Sequence, residues 1–200
     1  MLHNAFPTPI YEGSVDNNEV INDALVKLIS KIRGGDRENS IAKHSWNYDC
    51  GVWTSGHIIP QIFDMQDSSI ESILNEVKIH ISSFVGHYLQ SKTPCDLSIV
   101  SSWINVQGPN QFQEFHEHLA DKVPFSGTYY IKVPPNSGDI MFRRNDYKIV
   151  SSYHNLFSTE VSVSVRPGML LLFPSWLDHK VGRNNSTDDR ISLAFNFDMR

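Results

Sequence analysis

The apolar positions change period near residue 96. Between Asn17 and Ile32, the residues Val20, Ile21, Ala24, Leu25, Leu28, Ile29 and Ile32 recur at steps of three and four. That spacing puts them on one face of a helix. Asp16 or Asn17 can cap its start, and Gly34-Gly35 ends it. A second stripe consists of Ile70, Ile73, Leu74, Val77, Ile81, Phe84, Val85 and Tyr88. It predicts a helix from Ser68 or Ser69 to about Gln90, with Asp67 and Ser68 as caps and Glu71 placed for a capping box. The Gly-, Trp- and Asn-containing stretch 43–60 between them predicts short strands or a long surface loop.

From Leu97 onward the period is two, and β-branched residues become frequent. Strands are predicted at 97–106, 112–118, 126–133, 139–142, 160–165, 169–173 and 190–198. Turn residues separate them: Gly108-Pro109-Asn110, Pro134-Pro135-Asn136-Ser137-Gly138, Pro167-Gly168 and Asn184-Asn185. Many short strands broken by such turns form a sandwich or barrel, of which the double-sheet jelly roll is one solution. The pattern alone does not select it. With 200 residues there is room for one domain. The expected fold is therefore mainly β with α, a helical annex with short strands over 1–95 against a β core over 96–200.

Charge and composition narrow the function classes. Lys and Arg number 17 against 22 Asp and Glu, a net charge of −5. Such a chain has no global basic field for nucleic acid, and its one basic cluster, Arg143-Arg144 with Lys148, is short. No apolar run approaches the ~20 residues that span a bilayer. The stretch Met1 to Pro7 lacks the basic-then-apolar order of a signal peptide. The two cysteines, Cys50 and Cys95, form no CxxC pair, so neither a Cys-rich zinc module nor a disulfide scaffold is expected. A cytoplasmic protein with free thiols is the expectation.

Nine histidines make their spacing worth following. His44, His57, His80, His87 and His154 read as ordinary loop or helix histidines. In Phe115-His116-Glu117-His118, residues i and i+2 of a strand share a face, so His116 and His118 form a chelating pair while Glu117 points away. Phe173-Pro174-Ser175-Trp176-Leu177-Asp178-His179 carries an apolar strand into a turn and then delivers a third imidazole. In Arg190 to Phe197 the alternation sets Arg190, Ser192, Ala194 and Asn196 against Ile191, Leu193, Phe195 and Phe197. An inward arginine beside a small hydroxyl suits a carboxylate clamp.

This order of pieces resembles the iron(II)- and 2-oxoglutarate-dependent oxygenases. It is closest to a family of 2OG-Fe(II) oxygenase-like proteins of phages and bacteria. The shared motifs are Phe6-Pro7-Thr8-Pro9, Ser102-Trp103-Ile104-Asn105, His116-Glu117-His118, Ser126-Gly127-Thr128-Tyr129-Tyr130 and Pro134-Pro135-Asn136-Ser137-Gly138, followed by Pro167 through His179 and Arg190 through Asn196. The resemblance implies a double-stranded β-helix, a jelly-roll (cupin-like) core with the N-terminal helices packed on it. It implies Fe(II) held by His116, His118 and His179, with 2-oxoglutarate as cosubstrate and dioxygen as oxidant. Arg190 would bind the distal carboxylate of 2-oxoglutarate, Ser192 would assist, and Tyr130, Thr128 and Asn105 would line the cosubstrate pocket.

Most of these oxygenases carry Asp or Glu where this chain has His118. Two other registers therefore stay open: Glu114 paired with His116, and a halogenase-like His118-Leu119-Ala120. The expected activity is hydroxylation of an unnamed small-molecule or protein substrate by a cytoplasmic enzyme, by resemblance that of an infected host cell and a homodimer. Two alternatives stand beside it. One is a metal-binding cupin-like jelly roll without 2-oxoglutarate turnover. The other is a three-His iron dioxygenase that does not use 2-oxoglutarate.

Overall fold

The two periods of the chain become two layers. The computed structural model describes residues 7–35, 51–89, 96–119, 122–144 and 159–199. In chain order the elements are β1 (Tyr11–Ser14), α1 (Asn18–Gly35), β2 (Trp53–Thr54), α2 (Ser68–Leu89), β3 (Leu97–Gln107), β4 (Gln113–His116) and β5 (Phe125–Lys132). They continue with β6 (Ile140–Arg143), β7 (Glu160–Val163), β8 (Met169–Pro174), β9 (Asp178–Val181) and β10 (Arg190–Met199). A major sheet runs β1-β8-β5-β10-β3-β2 and a minor sheet β4-β9-β6-β7. All of these strand pairs are antiparallel, and neither sheet closes on itself.

The helices cover one face of the major sheet. Leu25 and Ile29 of α1, and Ile70, Ile73, Val77, Ile81, Phe84 and Val85 of α2, share one core with Ile104, Val106, Tyr129, Leu170, Leu172, Leu193, Phe195 and Phe197. Burying each large side chain contributes roughly 1.5–3 kcal/mol, so this face supplies most of the apolar stabilisation. Val20, counted on the α1 stripe, is 76% exposed. It sits in the first turn of a helix that enters through Asn17 at φ 53, before the helix comes down on the sheet. Asp67 caps α2, its carboxylate accepting the Ser69 backbone N–H at 2.9 Å. Glu71 thus lies one position beyond the place a capping box requires.

Two strands were not legible in the pattern. β1 is a four-residue edge, and only Gly13 of it is buried. β9 reads as part of a turn because Asp178 and Lys180 interrupt it, yet it pairs with both β4 and β6. The predicted strand 112–118 is shorter than expected. β4 stops at His116, because the His118 N–H leaves the ladder to donate to the Ser175 carbonyl at 2.9 Å. Cys50, Cys95, His44, His154, Phe6, Lys148 and the part 43–50 of the stretch 43–60 lie outside the described residues.

Close packing across β5 explains one glycine. A Cβ on Gly127 would lie 2.4 Å from Phe195 Cζ and 2.7 Å from Leu172 Cδ2, so Gly127 makes room for the Phe195 ring of the neighbouring strand.

Candidate metal centre

The other face of the major sheet looks at the minor sheet, and the site lies between them. β10 sends Arg190, Ser192, Ala194 and Asn196 to this side. β5 contributes Ser126, Thr128 and Tyr130, and β3 contributes Trp103 and Asn105. β4 and β9 bring His116 and His179 from across the gap, paired in register. The ligand atoms of His116, His118 and His179 all lie within 4.8 Å of one another. His118 reaches this cluster from just past the end of β4 and not from a strand position. Its neighbour His116 and the facing His179 have ring centroids 5.5 and 5.3 Å from its own.

Two of the imidazoles are fixed in the tautomer a metal requires. His116 Nδ1 lies 2.8 Å from the Glu114 carbonyl, and His179 Nδ1 lies 2.9 Å from the Leu177 carbonyl. A carbonyl only accepts, so both Nδ1 atoms carry the proton and Nε2 holds the lone pair. Both rings also stay neutral. Burial pushes the His116 pKa down to about 4, and burial together with the two neighbouring imidazoles holds His179 well below the ordinary histidine range. Phe173 and Phe142 pack on His179 and keep that side dry. His118 stacks beside Trp103 with centroids 5.7 Å apart, and its Nδ1 faces the Asn196 side-chain amide at 3.5 Å. Asn196 in turn accepts from Ser126 Oγ at 2.7 Å.

At the other end of the cavity lies a buried cation, its guanidinium carbon 5.1 Å from the centre of the Tyr130 ring. Arg190 is 2% exposed, and its Nη1 is 3.4 Å from Gln107 Oε1. Its Nε and Nη2, with Tyr130 Oη and Asn105 Oδ1, have no hydrogen-bond partner among the described residues. Burial depresses the guanidinium pKa and pushes the Tyr130 phenol up to about 12, so the phenol keeps its proton beside the cation. A buried charge without a carboxylate is costly, and orphaned donors around it mark a place for an anion.

These residues fit what the fold implies. Three clustered imidazoles suit a divalent first-row metal. A buried guanidinium with a phenol, three hydroxyls and, among the described residues, no carboxylate in the lining suits a carboxylate ligand. The alternative ligand Glu114 is exposed, as is Glu117, whose carboxylate accepts the Leu119 N–H. Gln107 and Gln113 were not among the expected site residues. Gln107 has the same strand parity as Trp103 and Asn105, and that parity was the signal that could have found it.

The comparisons agree with this geometry. The family model described as "Putative 2OG-Fe(II) oxygenase" matches residues 101–196. No curated protein matches the chain in sequence. Among solved structures, a prolyl-4-hydroxylase of Pseudomonas putida is 15% identical with a TM-score of 0.65, covering 96% of this chain and 94% of that one. HygX of Streptomyces hygroscopicus, solved with nickel and 2-oxoglutarate bound, is 12% identical with a TM-score of 0.62, covering 96% and 83%. A 2OG-Fe(II) oxygenase-family oxidoreductase of Burkholderia pseudomallei is 16% identical with a TM-score of 0.51, covering 67% of this chain and 60% of that one. These likenesses establish the double-stranded β-helix fold. The segment matched by the family model holds all three histidines and Arg190.

Proposed function

We propose that the protein is an Fe(II)- and 2-oxoglutarate-dependent oxygenase that hydroxylates its substrate, with His116, His118 and His179 as metal ligands and Arg190 as the anchor of the cosubstrate. The observation that carries this assignment is the pairing of a three-imidazole cluster with a buried, carboxylate-free arginine in one cavity. When bound, iron(II) supplies the activation of dioxygen that couples decarboxylation of 2-oxoglutarate to substrate oxidation.

The chain's own residues do the positioning. His116 and His179 are aimed by the carbonyls that accept their Nδ1 protons. Arg190 offers Nε and Nη2 to a distal carboxylate. Tyr130 and Ser192 stand within the same lining, where each can donate a further hydrogen bond. Thr128 and Asn105 complete the walls, and Trp103 borders the His118 side, where a substrate would approach. Among the described residues the lining contains no carboxylate, and Arg190 is its permanent cation.

No helix of the described residues is long and apolar enough to cross a membrane. A single domain over 1–200, a cytoplasmic location, a homodimer and a small-molecule or protein substrate complete the proposal. The shared core of helices and major sheet supports the first of these.

The decisive experiment follows succinate release from 2-oxoglutarate under air, with Fe(II) added to the apo-protein, beside anaerobic binding of the same two components. Wild type is expected to bind 2-oxoglutarate only when metal-loaded and to release succinate. His179→Ala is expected to lose both, with metal affinity lowered at least ~100-fold, beyond the effect of losing an outer-shell partner. Metal binding without metal-dependent 2-oxoglutarate binding would overturn the assignment and leave a metal-binding jelly roll.

A further inference from the structure

Gln107 closes β3 and stands directly opposite Arg190 in the β3–β10 ladder. It is 2% exposed. Its side-chain Nε2 donates to the Gln111 carbonyl and to the Gly182 carbonyl, both at 2.8 Å. Since a carbonyl only accepts, the amide cannot be reversed, and Oε1 must face Arg190 Nη1. The Gln107 backbone is held as well, its carbonyl accepting from Asn184 Nδ2 at 2.9 Å, with Asn184 itself fully buried.

The partners have positional meaning. Gly182 directly follows β9, the strand that carries His179. One side chain therefore fastens the buried cation of the major sheet to the metal-bearing strand of the minor sheet. It does so with a neutral oxygen. The guanidinium is oriented through Nη1, while its charge and its Nε and Nη2 remain for a ligand.

We infer that Gln107 is a positioning residue for cosubstrate binding: it aims Arg190 and fixes the separation of cation and metal, so that the cavity selects a 2-oxo acid bearing a second carboxylate. This rests on Arg190 taking the distal carboxylate.

The test compares two ligands on the Mn(II)-loaded full chain, with affinities measured by calorimetry. 2-Oxoglutarate and pyruvate share the chelating 2-oxo carboxylate, but only 2-oxoglutarate has the distal one. Gln107→Met removes the acceptor together with the Nε2 donor at similar volume and is expected to weaken 2-oxoglutarate about 10-fold, the scale of one hydrogen bond to a charged group. Pyruvate and Mn(II) affinities stay at wild-type values. Gln107→Glu sets a carboxylate against Arg190, neutralises it and weakens 2-oxoglutarate further.

Wild-type 2-oxoglutarate affinity in Gln107→Met overturns the inference. So does a parallel loss for Mn(II) and pyruvate, which marks a merely structural role. Arg190→Met separates the two levels. If it binds 2-oxoglutarate like wild type, the assignment of Arg190 fails and the role of Gln107 falls with it. If it discriminates less while Gln107→Met does not, only the role of Gln107 fails.

Discussion

The two faces of the major sheet are built from the same strands and do opposite work. On β10, Ile191, Leu193, Phe195 and Phe197 point to the helices and join the large core, while Arg190, Ser192, Ala194 and Asn196 point to the minor sheet and line the site. β5 divides in the same way, with Tyr129 and Ile131 on one side and Thr128 and Tyr130 on the other. In an ordinary sandwich the space between sheets is the hydrophobic core. Here that space has only a small apolar cluster around Phe142, Met169, Leu171 and Phe173. The helices supply the stability that the inter-sheet space has given up to chemistry, so substitutions on the two faces separate stability from function.

Phe197→Ala tests the helix-facing side and is expected to have the largest effect on stability. It should destabilise the protein by about 3–5 kcal/mol, the usual range for a buried phenylalanine. Denaturant unfolding measures this, and the 2-oxoglutarate affinity of the folded fraction should stay unchanged. Arg190→Met tests the opposite face and reverses the sign. Replacing a buried cation that has no ion-pair partner among the described residues with an apolar chain should stabilise the apo-protein by about 1–4 kcal/mol while removing preference for 2-oxoglutarate over pyruvate. A loss of stability in this variant would break the contrast between the faces.

Acid should expose the same contrast. His116 titrates near 4 when folded and near 6.5 when unfolded, and the His179 shift has the same direction. Above pH 6.5 both states are neutral and nothing is lost. As pH falls from 6.5 towards 4 the unfolded chain takes up protons that the folded one refuses. Apo-protein stability should therefore fall by at most about 1.4 kcal/mol per pH unit for each histidine. His116→Asn should flatten that slope in a pH series of urea melts. The smallest effect is expected for Ser192→Ala, below about 1 kcal/mol in stability with a modest rise in KM for 2-oxoglutarate. A large loss of stability there would show that this face, too, carries the fold.

Both helices were legible because their stripes run for several turns, and most strands because alternation and turn residues agree. β1 and β9 were not, since short strands with charged or glycine positions give too few alternations to stand out. His116 and His179 were placed by motif order, but their facing register across β4 and β9 could not be read from one sequence. The i, i+2 argument for His118 gave the right neighbour through the wrong geometry, because the backbone leaves the ladder at Ser175. Gln107 was only half legible, its parity with Trp103 and Asn105 giving the face but not the role. Its role lies in joining Gly182 and Arg190, and contacts 75 and 83 positions away leave no local pattern.

The register of His116 against His179 makes any bound metal a tie within the chain. The two residues are 63 positions apart in sequence, and β4 is a four-residue strand at the edge of its sheet. A cross-link closing a loop of that length restricts the unfolded chain by about 4 kcal/mol, as a disulfide would. The loaded protein should accordingly resist proteolysis in the segment after Gly108 far longer than the apo-protein. Cofactor loss would then act as a durability clock, with enzyme that has shed its iron becoming the first to be cut.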